Sequence, residues 1–262
     1  MREYLEGVDE MSDYNSMFIR SVCLKREEVL SFVDYPFHLP AVSTLTDMLF
    51  SHQVTFIVGE NGSGKSTILE AIASSYGFNP EGGTRNFNFS SFQSHSCLGD
   101  YLTLVKGARR PEDGFFLRAE SFYNVASEID MLDREEGFGG RLVDSYGGKS
   151  LHEQSHGESF MSLFLHKFKG NSLYILDEPE SALSPTRQLT MIARMHELVR
   201  EGCQFIIATH SPIIMAYPNA CIYALNEQGY AKVKYEETEH YQITKTFLDA
   251  PERMLKVLME EE

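Results

Sequence analysis

Nine residues, Gly59-Glu-Asn-Gly-Ser-Gly-Lys-Ser-Thr67, constrain this chain more than any other stretch. They meet the spacing G-x-x-x-x-G-K-[S/T] at every fixed position. The flanks agree with it. Residues 53–58 read as a buried strand, and residues 65–75 read as a helix. Glycines let the backbone wrap closely round an anion, and the helix N-terminus adds unpaired N–H groups and positive dipole. Gly59, Glu60, Asn61, Gly62, Ser63, Gly64, Lys65, Ser66 and Thr67 are therefore expected to cradle the phosphates of a nucleoside triphosphate. Lys65 would reach the β- and γ-phosphates, and the Ser66 hydroxyl would hold Mg²⁺. A plain Gly/Ser turn between strand and helix has no need of this spacing.

The chain has 262 residues and an apolar fraction of 42%, enough for one large domain or two small ones. Its formal charge of −15 disfavours non-specific contact with nucleic acid or anionic lipid. Lys106, Arg109 and Arg110 cluster, but Glu112 and Asp113 follow at once, so the cluster reads as a solvated loop. Nucleic acid as a partner is thus unsupported by charge, and no recognition motif appears. Cys23, Cys97, Cys203 and Cys221 lie far apart with no C-x-x-C pair, which leaves a zinc or redox motif unsupported. Cys203 and Cys221 flank expected strands and read as small core residues. Residues 1–13 are acidic, unlike a signal peptide. The longest apolar candidate, 205–217, contains His210 and Pro212 and is too short to span a bilayer. The expectation is a soluble cytoplasmic protein without direct membrane insertion.

Strands are expected at 17–24, 53–58, 85–92, 100–105, 114–117, 172–176 and 204–208, with a hairpin from 221–225 to 230–234. Helices are expected at 65–76, 121–133, 157–168, 185–200 and 251–259, and a Gly-rich charged loop at 135–149. On the 185–200 helix, Leu189, Ile192, Met195 and Val199 would form the apolar face. Short apolar strands alternating with helices indicate an α/β core around a parallel sheet.

Three further segments carry chemistry. In Leu173-Tyr-Ile-Leu-Asp-Glu-Pro179 an apolar strand ends in two carboxylates. Asp177 suits a metal-supporting role and Glu178 the polarisation of an attacking water. In Phe205-Ile-Ile-Ala-Thr-His-Ser-Pro212 another buried strand ends in His210. Ligands of open α/β sheets bind beyond the carboxyl ends of strands, so His210 should emerge on the same edge as Lys65 and Asp177. Gln154-Ser-His-Gly-Glu-Ser159 opens a helix and suits either an anion contact or a plain N-cap with Glu158 in the first turn.

In this order the segments resemble the ABC-type ATPases: Walker A at 59–67, signature at 154–158, Walker B at 173–178, D-loop at Ser181-Ala-Leu-Ser184, and a switch histidine at His210. The resemblance implies an α/β P-loop NTPase head with a mixed, largely parallel sheet. It also implies an antiparallel N-terminal β portion and a small helical lobe carrying the signature. Residues 1–262 would form one domain, with about 17–92 and 170–262 as the nucleotide-binding lobe and about 93–169 as the helical lobe. It implies ATP and Mg²⁺ as cofactors, Lys65, Glu178 and His210 as catalytic residues, and Ser66 and Asp177 at the metal. Ser155, Gly157 and Glu158 would complete the site of a second copy across an ATP-dependent head-to-tail homodimer.

Departures from the family pattern are specific. His156 replaces the first glycine of the signature, and Ser184 replaces the D-loop aspartate. Glu120 stands at the Q-loop position as a third candidate near the metal, with Gln93 a poorer one. Tyr35 or Phe37 lies at a suitable distance before the loop to stack on adenine, and either reads equally as a core aromatic. The wording of the motifs is similar to the non-transporter branch that includes RecF and the structural maintenance of chromosomes proteins. About ninety residues between Lys65 and Ser155 leave no room for their long coiled coil. The resemblance therefore implies a compact "AAA family ATPase" that acts as an ATP-driven switch on an unidentified soluble effector, in DNA maintenance or defence. The energy subunit of a membrane transporter is the alternative, and a module that binds ATP without turnover is a third.

Overall fold

The computed structural model describes residues 16–80, 82–84, 96–118 and 155–259. The elements expected over 85–92, 121–133 and 135–149 lie outside these residues, as do Gln93, Glu120 and Gln154. The N-terminal half holds β1 (Ile19–Leu24), α1 (Pro40–Ser43), β2 (Met48–Leu49), β3 (Val54–Gly59) and α2 (Lys65–Tyr76), then β4 (Leu102–Lys106) and β5 (Asp113–Arg118). After it come α3 (His156–Ser162), β6 (Ser172–Asp177), α4 (Pro185–Arg200), β7 (Gln204–Ala208) and α5 (Pro212–Met215). The chain continues with β8 (Cys221–Asn226), β9 (Gly229–Val233), α6 (Glu239–Asp249) and α7 (Pro251–Met259).

The main sheet runs β5-β6-β7-β3-β8-β9, parallel except for β9, which pairs antiparallel with β8. A second, antiparallel sheet runs β2-β1-β4. The expected α/β core and N-terminal antiparallel portion are therefore both present. Strand alternation sends side chains to two cores. On one face Phe56, Tyr174, Leu176, Phe205 and Ile207 pack under Phe164, Met191 and Met195. On the other, Ile57, Ile175, Ile206 and Ala208 pack under Ile68, Ile72 and the small sheet. Burial on both faces explains why β3, β6 and β7 read as continuous apolar runs. Gln204, 1% exposed, joins the two sheets. Its Oε1 accepts from Phe18 N at 2.9 Å and Ile19 N at 3.0 Å, and its Nε2 donates to Ile19 O at 2.8 Å.

Three expectations need correction, and one helix goes beyond them. The strand expected from Asp100 starts at Leu102, because Cys97–Tyr101 forms a 3₁₀ turn whose start is capped by Ser96 Oγ, accepting from Leu98 N at 3.2 Å. The helix expected over 157–168 is α3 followed by a π turn, Leu163–Lys167. On α4 the expected Met195 is buried and Ile192 and Val199 pack against the core, but Leu189 is 59% exposed and Gln188, Met191 and Leu198 complete the buried face. Gln188 displaces the expected apolar residue because its amide is satisfied inside, donating to Leu183 O at 3.0 Å and accepting from Ser211 Oγ at 2.6 Å. Helix α6, absent from the expected elements, buries none of its residues and leaves its apolar Ile243, Phe247 and Leu248 exposed.

Candidate functional site

The carboxyl ends of three adjacent strands make the site. Ala208 of β7 lies in register with Asp177 of β6 and Ile57 of β3, so the segments after these strands start side by side. The loop after β3 turns through Gly59 (φ 152), Gly62 (φ 81) and Gly64 (φ 98), a region that L side chains rarely adopt. Gly64 then opens α2 in left-handed conformation, so the first turn of the helix faces back into the loop. Lys65 Nζ lies over that loop, donating to Gly59 O at 2.9 Å and Glu60 O at 3.0 Å. Burial lowers the Lys65 ammonium below its ordinary value, while Glu178, Asp177 and Glu180 pull it back up.

Ser66 Oγ donates to Asp177 Oδ1 at 3.1 Å. Asp177 is 7% exposed, and burial pushes its carboxyl up to about 6 against the Ser66 hydrogen bond and the Arg118 charge. A buried carboxylate beside a hydroxyl, short of compensating charge, suits a hard cation. Mg²⁺ characteristically takes one or two such oxygens and fills its remaining positions with water and phosphate. The donor set therefore fits Mg²⁺. Arg118 at the end of β5 pairs with Glu70 Oε2 of α2 at 2.8 Å, tying the strand beside Asp177 to the helix that carries Lys65 and Ser66.

Glu178 takes a left-handed conformation (φ 49, ψ 52), unusual for a non-glycine residue, and its N–H donates to Ala208 O at 2.9 Å. Its Oε1 comes to 3.4 Å from His210 Nε2. His210 is held from behind. Its backbone N–H donates to Glu180 Oε1 at 2.5 Å, and its Nδ1 is 2.8 Å from His240 Nε2. Burial lowers the His210 imidazole, and Lys65 adds to this, while Glu178 opposes it. Burial also raises the Glu180 carboxyl.

The structure brings Lys65, Ser66, Asp177, Glu178 and His210 to one edge. Of the two aromatics, Tyr35 is 61% exposed with its hydroxyl 3.1 Å from Thr67 Oγ1. Phe37 is 7% exposed and packs edge-on against Tyr101, so it is a core aromatic. The signature residues sit elsewhere, at the start of α3, where Gly157 packs against the turn after β6. Ser155 donates to Glu158 Oε2 from both N and Oγ, at 3.0 and 2.7 Å, and Glu158 Oε1 lies 3.6 Å from Arg187 of α4. Gly157 is packed so tightly that a Cβ would meet Ala182 O at 2.5 Å. Sequence reasoning missed Glu180, His240 and the Arg118–Glu70 pair. Glu180 sits in the run Asp-Glu-Pro-Glu, where a buried carboxylate and a solvated one look alike, and His240 has no fixed spacing from His210.

A family model described as "AAA domain" matches residues 37–108. A second, "AAA domain, putative AbiEii toxin, Type IV TA system", matches residues 107–216. A putative ABC transporter ATP-binding protein of Caldanaerobacter subterraneus is 27% identical over 73% of this chain and 85% of its own length. Together these findings support an ABC-type P-loop ATPase. This ATPase is also 25% identical, over 61% of its chain, to ABC transporter G family member STR2 of Medicago truncatula, of which the match spans only 24%. Among solved structures it is similar to the SMC head domain from Thermotoga maritima, at 19% identity and a TM-score of 0.38 over 83% of this chain and 98% of that one. No helix among the described residues of the ATPase is long and apolar enough to cross a membrane.

Proposed function

We propose that this ATPase binds ATP with Mg²⁺ and hydrolyses it to ADP and phosphate at a head-to-tail dimer interface, as a switch acting on a soluble effector. The observation that carries the reading is the grouping of Ser66, Asp177, Glu178 and His210 at one sheet edge beside Lys65. Phosphoryl transfer to water needs positioning and charge stabilisation more than covalent chemistry. Gly59 to Thr67 bind the phosphates, with the Lys65 ammonium placed on the β- and γ-groups. Ser66 and Asp177 would hold Mg²⁺, which when bound would neutralise charge on the phosphates. The Glu178 carboxylate accepts a hydrogen bond from the attacking water and orients it, and the His210 Nε2 side bounds the same space. Tyr35 stacks on the base. Ser155, Gly157 and Glu158 of one copy complete the site of the other, and Glu120 is a third candidate near the metal.

The family model that names a toxin–antitoxin system supports the defence side of this reading. A second reading, the energy subunit of a transporter, draws support from the Caldanaerobacter relative, a putative ABC transporter ATP-binding protein. One experiment separates them. Glu178→Gln protein with ATP and Mg²⁺ is expected to accumulate as a dimer in sedimentation, whereas Lys65→Ala protein is not. Affinity capture from native cells with the ATP-locked variant should recover a soluble effector. Recovery of a multi-span membrane protein establishes the transporter reading instead, and wild-type hydrolysis by Glu178→Gln removes Glu178 from its role.

A further inference from the structure

His240 belongs to α6, beyond the residues that either family model matches. Its placement against His210 is built in. Thr238, 2% exposed, caps α6, accepting from Tyr241 N at 3.4 Å and donating to Tyr235 O at 2.7 Å. Tyr235 in turn donates its hydroxyl to Pro212 O at 2.7 Å, two residues after His210, and packs on the Tyr241 ring at 4.6 Å. The first turn of α6 is thus fastened to the segment that carries His210, and the two imidazoles meet at 2.8 Å with their rings tilted by 60°.

We propose that His240 is a positioning residue that fixes the tautomer of His210, holding its proton on Nε2, toward Glu178 and the reacting phosphate. The inference rests on the reading of His210 given above. Two arrangements of the shared proton satisfy the Nδ1···Nε2 contact. If His210 Nδ1 donated, its Nε2 lone pair would face Glu178 Oε1 at 3.4 Å, acceptor against acceptor. If His240 Nε2–H donates, His210 Nδ1 accepts and its Nε2 carries the proton toward the carboxylate. Only the second arrangement avoids the repulsion. His210 Nε2 is buried and has no hydrogen-bond partner among the described residues, as suits a donor kept for a ligand oxygen. Burial lowers both imidazoles and Lys65 adds to each shift, favouring two neutral rings in which tautomer is the remaining choice.

The test uses the full chain labelled with ¹⁵N-histidine, with His210 assigned through the signals lost in His210→Asn. Long-range ¹H–¹⁵N correlations should place the wild-type His210 proton on Nε2, and His240→Phe should give a mixture of tautomers. With ATP, His240→Phe should lower kcat on the order of tenfold or more, the size typical of outer partners that orient a histidine, with KM little changed. His240→Gln keeps a donor and should restore most of the rate, which separates positioning from a merely structural role. A wild-type proton on Nδ1, or an undiminished kcat in His240→Phe, overturns the proposal. Full hydrolysis by His210→Asn instead sinks the role of His210, and with it any effect of His240 on rate. The wrong tautomer with an inactive His210→Asn sinks only the assignment to His240.

Discussion

Ser66 Oγ donates to Asp177 Oδ1 at 3.1 Å, so the start of α2 meets the end of β6 across 111 positions of sequence. The contact places a hydroxyl and a carboxylate together on the cation side of the phosphate loop, in a setting that penalises the charge.

The first prediction concerns that penalty. Burial raises the Asp177 carboxyl from 3.8 to about 6. A carboxyl with a folded value above its unfolded value binds more protons when folded, so its ionisation weakens the fold as pH rises. The cost is absent below 3.8 and complete above about 6. Asp177→Asn should therefore melt higher than wild type at neutral pH without nucleotide, by on the order of 1–3 kcal/mol. The gap should close as pH falls through that window, and hydrolysis should be lost. Thermal melts across pH check this. A less stable Asn variant at neutral pH would mean that the Ser66 hydrogen bond to the carboxylate outweighs burial.

The loop glycines should differ in cost. Gly59 is the strand partner of Leu225, and a Cβ on it would stand 2.6 Å from Leu225 O, on backbone that cannot swing aside. Gly62 has a positive φ but open space around it. Gly62→Ala should cost about 1–2 kcal/mol, the conformational penalty alone. Gly59→Ala adds displacement of the β3–β8 pairing and should cost more. Urea midpoints of the two variants rank them, and equal midpoints would show that the β3–β8 edge yields freely.

What the sequence makes legible is local or periodic. The bounds of α2 can be read because Gly64 and Gly77 take positive φ at its two ends, and β6 and β7 because burial on both faces leaves unbroken apolar runs. The site residues Lys65, Ser66, Asp177, Glu178 and His210 can be read because each lies at the tip of such a strand or at the helix that follows. Gln188 and Gln204 cannot. Each is buried by hydrogen bonds to partners distant in the fold, and a glutamine with partners has the same letter as one in water. His240 is hidden for a related reason, since the Tyr235–Pro212 contact that helps bring α6 back over His210 leaves no pattern in the letters.

Gln204 gives a third prediction. Its side chain satisfies the N–H groups of Phe18 and Ile19 in a place with almost no exposure. Gln204→Leu keeps the bulk and leaves both donors without a partner, at roughly 1–3 kcal/mol each. The variant should unfold at lower urea. The Phe18 and Ile19 amides should exchange with solvent faster than those of β3, which does not depend on this link. Unchanged exchange at those two amides would show that water or a shifted β1 replaces the glutamine.

Tyr35 and Phe37 lie two residues apart and should fail in opposite ways. Tyr35 leaves most of its ring in solvent beside Thr67, so it can stack on a base, while Phe37 is committed to Tyr101 and the core. Tyr35→Ala should leave the melting temperature in place and weaken ATP binding about tenfold or more, since base–aromatic stacking contributes about 1–3 kcal/mol. Tyr35→Phe should bind close to wild type, because the ring rather than the hydroxyl meets the base. Phe37→Ala should cost about 3–5 kcal/mol of stability through the cavity it leaves. Its folded fraction should retain ATP affinity. Titration of a fluorescent ATP analogue beside thermal melts reads both quantities for each variant. Wild-type affinity in Tyr35→Ala would place the base away from this loop.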